Sequence, residues 1–136
     1  MSALPYRFLL VAVAAALIGM CGGIMMAATQ DFTLAPAHAH LNLLGWVTLA
    51  LYGLFYRAVP EAAVGRLPQV HFWLATIGVG LMAPGIAWRV LGHEEAEAVI
   101  APGALMVVAA MVLFGVVVIR TRTQDRAVAA TVRRRA

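Results

Sequence analysis

An all-α integral membrane bundle of four helices, with both termini on the cytoplasmic side, is the fold class that three observations predict. Stretches 8–30, 32–56, 67–88 and 98–119 contain no Asp, Glu, Lys or Arg. Each exceeds the ~20 apolar residues that a spanning helix requires. The chain of 136 residues is 63% hydrophobic and only 12% charged, which excludes an ordinary soluble domain. The length corresponds to a single domain, 1–136. The net charge of +4 comes from arginine alone, with no lysine. Arg7, Arg57, Arg66, Arg120, Arg122, Arg126 and Arg133 to Arg135 flank the helices at one end of the bundle. Asp31, Glu94, Glu95 and Glu97 occupy the other end. Positively charged loops stay in the cytoplasm, so the acidic end faces outward. Arginines beside a span set topology and touch anionic lipid. Membrane lipid is therefore the expected partner of the basic tail, 121–136, and nucleic acid is not.

The first helix is expected over about 7–29. Its apolar run continues past Cys21, longer than the ~7–15 residues of a signal-peptide core, so it is expected to remain as a span. Gly19 and Gly23 have the small-xxx-small spacing that allows close helix approach. Met20, Met25 and Met26 gather towards its outer end. Thioethers bind Cu(I), but flexible packing is the more general use of methionine. One cysteine, Cys21, excludes an intrachain disulfide framework.

The second helix is expected over about 37–57, with Pro36 in its first turn, where a missing N–H is harmless. At helical spacing, His38, Asn42, Gly45, Leu49, Tyr52, Gly53 and Tyr56 form an interior face. His40, Leu44, Val47, Leu51 and Phe55 form an aliphatic one. Residues two apart on a regular helix point in nearly opposite directions. His38 and His40 therefore converge only if the first turn is distorted; otherwise one is a ligand, or they serve opposite faces in an oligomer.

The third helix, about 68–92, carries the stripe His71, Ala75, Gly78, Met82, Gly85 and Arg89, and Pro84 should kink it. His71 lies at the cytoplasmic end, where capping or snorkelling is expected. The loop His93-Glu94-Glu95-Ala96-Glu97 suits either solvation or a basic partner. The fourth helix, about 98–120, with Pro102 in its first turn, is expected to be scaffold. A frayed Arg-rich tail should follow it.

The chemistry implied is imidazole ligation near the outer face. Ionisable groups at membrane depth are costly and usually functional, and neutral histidine binds haem iron, copper or zinc. Haem suits a helical bundle, because ligands on facing helices project towards a flat apolar cofactor. The candidate ligands are His38, His40 and His93. Asn42, Gly45 and Trp46 stand beside them, with Gly85 and Trp88 as further walls and Arg89 as a propionate partner.

His38-Ala39-His40 followed by Gly45-Trp46 resembles the H-A-H-x-x-x-x-G-F segment of NnrS-type haem- and copper-containing membrane proteins. Leu34-x-Pro36-x-His38 and His40-x-Asn42 resemble the L-R-P-L-H-T-N segment of cbb3-type oxidase and nitric oxide reductase catalytic subunits. There the equivalent histidine ligates a low-spin haem b. Proline aligns His38 with that ligand, and asparagine aligns His40. The resemblance covers one helix of four. It implies a member of the haem-copper oxidase subunit I-like group in the bacterial inner membrane, binding haem b through His38 and/or His40. It also implies electron transfer, or haem, NO or O2 sensing, with a respiratory redox partner. The large catalytic subunits are built of four-helix units, so a single unit implies a homo-oligomer, for instance a trimer. The chain lacks their copper-binding histidine cluster and second haem-ligating helix, so it is not expected to be a complete oxidase. Two rival expectations stand beside this one. The first is an accessory or assembly subunit with structural histidines. The second is a copper- or zinc-binding protein using His38, His40, His93 and the outer methionines.

Overall fold

A computed structural model describes residues 3–135, with side chains over 3–123. Among the described residues there is no strand, and four helices are long and apolar enough to cross a membrane. They are α1 (Leu4–Thr29), α2 (Ala35–Ala58), α3 (Arg66–Val90) and α4 (Glu97–Arg135). Short 3-10 turns, Pro60–Ala63 and Glu94–Ala96, precede α3 and α4. Between α1 and α2, the Asp31 carboxylate accepts bonds from the Thr33 hydroxyl and backbone N–H, at 2.6 and 3.0 Å. The hydroxyl first, then the amide, holds the Asp31 carboxyl below its usual range.

Two boundaries differ from expectation. Helix α4 begins at Glu97, so Pro102 lies inside it rather than in its first turn. Its backbone also continues helical to Arg135 instead of fraying after Thr121. The larger difference lies in α2. Its first six residues are α-helical, Leu41–Thr48 is π-helical, and Leu49–Ala58 is α-helical again. The wider turn directs hydrogen bonds to the fifth residue back. There the Thr48 hydroxyl donates to the Leu43 carbonyl, five residues earlier, at 2.8 Å. The turn bearing the two histidines is thus a regular helix, and the irregularity follows it.

Helix α1 packs along α2, α4 packs along α3, and the two pairs meet through the first half of α2. The seams are set by glycine. A Cβ on Gly103 would lie 2.8 Å from the Met82 backbone nitrogen and 3.0 Å from the Gly78 carbonyl oxygen. On α2, a Cβ on Gly53 would lie 3.0 Å from the Pro5 carbonyl oxygen. Such backbone approach lets the helices gain dispersion contact along the seam. Most of each sequence stripe is buried: Gly45, Leu49, Tyr52, Gly53 and Tyr56, with His38 and Asn42 half-buried, and His71, Ala75, Gly78, Met82 and Gly85, whereas Arg89 is exposed.

The core is asymmetric. Its large side chains gather at the arginine-flanked end: Leu4, Phe8, Leu49, Tyr52, Tyr56 and Phe72. His71 is among them, at 0% exposure, rather than snorkelling at an interface. It stands more than one turn inside α3, level with the last turns of α2. Its ring stacks on Phe114 at 5.6 Å and meets Tyr52 edge-on at 4.4 Å. His71 Nδ1 shares a 2.9 Å hydrogen bond with the Tyr56 hydroxyl. Nε2 has no protein partner, a deficit that costs about 1–3 kcal/mol.

Candidate functional site

At the opposite end the bundle is open where the other end is filled. A cavity of about 270 Å³ lies between α1, α2 and α3. Its walls include Gly19, Gly22, Met25 and Met26 from α1, Ala37, His38 and Leu41 from α2, and Ala83, Pro84 and Ala87 from α3. His38 is the one titratable side chain among the lining residues.

Glycines on α1 make the seat for this histidine. A Cβ on Gly23 would approach His38 Cε1 to 3.2 Å, and one on Gly22 would reach His38 Nδ1 at 3.9 Å. The imidazole therefore lies against a surface without side chains. One turn further along α2, the Asn42 amide donates to the His38 carbonyl oxygen at 2.8 Å. That same amide nitrogen is 3.3 Å from Nδ1 and 3.4 Å from Nε2. Near-equal distances to both ring nitrogens place the amide across the ring, not in line with either lone pair. Its strong bond is the one to the carbonyl, so the imidazole keeps an in-plane nitrogen for a ligand. Asn42 is held in turn by Gly19, where a Cβ would lie 2.6 Å from the amide oxygen and nitrogen.

The other sequence-predicted residues fall into separate places. His40 is exposed, on the face away from the cavity. Its Nδ1 donates to the Pro36 carbonyl oxygen at 2.7 Å, which leaves Nε2 as the ring nitrogen without an intrachain partner. Trp46 is exposed as well. Gly45 is a packing point rather than a slot, since a Cβ there would lie 3.0 Å from Ala15 Cβ and 3.2 Å from Val79 Cγ1. Gly85 meets Ile100 in the same way, at 2.8 Å. Arg89 is engaged with Glu94 at 3.4 Å, and His93 Nδ1 contacts Glu95 Oε1 at 3.0 Å. The His93 ring lies 5.6 Å from Trp88. Trp88 and Arg89, in the last turn of α3, thus contact the acidic surface loop that carries His93, and none of the three lines the cavity.

The structure brings His38 and Asn42 together and leaves His40, Trp46, Arg89 and His93 outside. Among the described residues no group of three or more His, Cys, Asp or Glu side chains could hold a metal ion. The cavity adds Met25 and Met26, for which packing was the leading expectation and copper binding the rival one. A period-of-four match between Gly19 and Gly22-Gly23 on one helix and His38 and Asn42 on the next was the available signal. Compared with protein-family models, curated proteins and solved structures, the chain matches none of them.

Proposed function

We propose that the chain is a membrane protein of the bacterial inner membrane that holds a b-type haem through His38, with an electron-transfer or gas-sensing role. The observation that carries this reading is the single imidazole lining an otherwise apolar cavity between three helices. The donor fits: a half-buried histidine with an uncommitted ring nitrogen is a common protein ligand of haem iron. The apolar walls suit a macrocycle. The volume, about 270 Å³, falls below the ~300–1,000 Å³ of enclosed ligand sites. The cavity is bordered by exposed Ile18, Met25 and Pro84, so a planar ligand larger than the cavity would also cover that rim.

The chain's own residues each have a part in this reading. His38 supplies the nitrogen, and Gly22 and Gly23 leave space for its ring. Asn42 anchors the turn that carries it, and Gly19 leaves space for Asn42. Bound haem would supply one-electron chemistry and a site for small diatomic gases. The positive-inside bias puts the cavity towards the outer face and the His71 core towards the cytoplasm. His40, exposed with Nε2 outward, is the residue available to a second copy of the chain.

The test is purification in detergent from haem-sufficient cells, followed by the visible spectrum and metal analysis. One haem per chain, with the spectrum lost in His38→Ala, supports the reading. A folded, colourless protein free of iron would sink it. Bound copper or zinc without haem would select the metal-handling reading instead.

A further inference from the structure

We infer that Met26 of α1 is the second ligand to the metal held by His38, giving a mixed imidazole–thioether pair rather than two histidines. The inference rests on the haem reading and adds a ligand to it, which fills the position a gas would take and so narrows the role to electron transfer. The other histidines cannot easily complete the site within one chain: His71 is buried at the far end, His93 is tied to Glu95, and His40 faces away. Among the residues lining the cavity, the only side chains with a metal-binding atom are His38, Met25 and Met26. Both methionines stand on α1, one turn beyond the glycines on which the His38 ring rests.

The two methionines differ. Met26 is 5% exposed and turned into the bundle, whereas Met25 is 50% exposed at the rim. A buried thioether with a fixed environment is the better ligand, because less side-chain freedom is lost on binding. Thioether is a soft, neutral donor that needs no compensating charge in an apolar cavity. Replacing an imidazole by a thioether at haem iron raises its reduction potential. The site would therefore favour the reduced state and accept electrons from weakly reducing donors.

The experiment loads wild-type protein, Met26→Leu and, as a control on α1 outside the cavity, Met20→Leu with haem b, and records visible, near-infrared and carbon monoxide difference spectra. Wild type and Met20→Leu are expected to be six-coordinate and low-spin. Their ferric forms should show the near-infrared charge-transfer band of a thioether ligand. Met26→Leu is expected to keep its haem, lose that band, become high-spin and gain carbon monoxide binding, with a lower midpoint potential. Met→Leu nearly conserves volume and is among the best-tolerated core substitutions. Should Met26→Leu nevertheless fail to fold, the wild-type near-infrared band decides alone, and its absence overturns the inference. Haem that stays low-spin in Met26→Leu also overturns it while leaving His38 ligation standing. Wild-type protein that takes up no haem overturns both.

Discussion

Replacing Gly103 by alanine tests how closely α3 and α4 approach. The added methyl would lie 2.8 Å from the Met82 backbone nitrogen, 3.0 Å from the Gly78 carbonyl oxygen and 3.1 Å from Leu81 Cβ. Non-bonded heavy atoms settle near ~3.5–4.0 Å. Two of the three neighbours are backbone, so no rotamer change relieves the contact and the helices must part by on the order of half an ångström. Overpacking of this kind costs about 1–3 kcal/mol. Alanine also gains helix propensity over glycine, about 1 kcal/mol, which would mask part of the loss. Gly80→Ala corrects for this. It adds the same methyl within α3, where nothing lies within 4 Å. The difference between the two variants isolates the clash, and Gly103→Ala should be less stable than Gly80→Ala by about 1–3 kcal/mol. Reversible unfolding in mixed detergent micelles, followed by far-UV circular dichroism, measures it. Equal midpoints would refute the backbone contact at Gly78 and Gly103.

Tyr56→Phe leaves the buried His71 Nδ1 without its partner and should cost about 1–3 kcal/mol. The double variant Tyr56→Phe/His71→Phe removes both polar groups and should recover much of that loss, as the same unfolding assay would show. Gly19→Ala should displace the Asn42 amide, 2.6 Å from the new Cβ. The expected result is weaker haem retention on dilution with little change in unfolding midpoint. Gly115→Ala, with nothing within 4 Å, should leave retention unchanged.

The helix number and most of both interior stripes were legible in the sequence, because apolar length and four-residue spacing are strong physical signals; Arg89, placed in a stripe, is exposed, and the last helix runs on to Arg135. His71 was misplaced for a clear reason. Counting from the loop puts it near an interface, but the aromatic rings of Phe8, Tyr52 and Phe114 extend the core around it. The π-helical segment carries no composition signal; Leu41 to Thr48 would pass for any α-helix. Its presence leaves the His38 turn regular, so the sequence geometry that separated His38 from His40 holds. At the site, spacing identified His38 and Asn42 as interior. It grouped Met26 with Met20 and Met25 but could not single it out, because the cavity is lined by residues from three helices whose relative rotation only the packing fixes. Gly45 and Gly85 illustrate the same limit: small residues signal close approach, and packing decides whether a helix or a ligand uses the space.

The measurement that tests the central claim most directly is the reduced-minus-oxidised visible spectrum of three purified proteins: wild type, His38→Ala and His40→Ala. His38 lines the cavity and His40 faces away from it. The account predicts a haem b spectrum in wild type, its retention in His40→Ala and its loss in His38→Ala. Retention in His38→Ala with loss in His40→Ala would contradict it, and so would a wild-type protein that is folded and colourless.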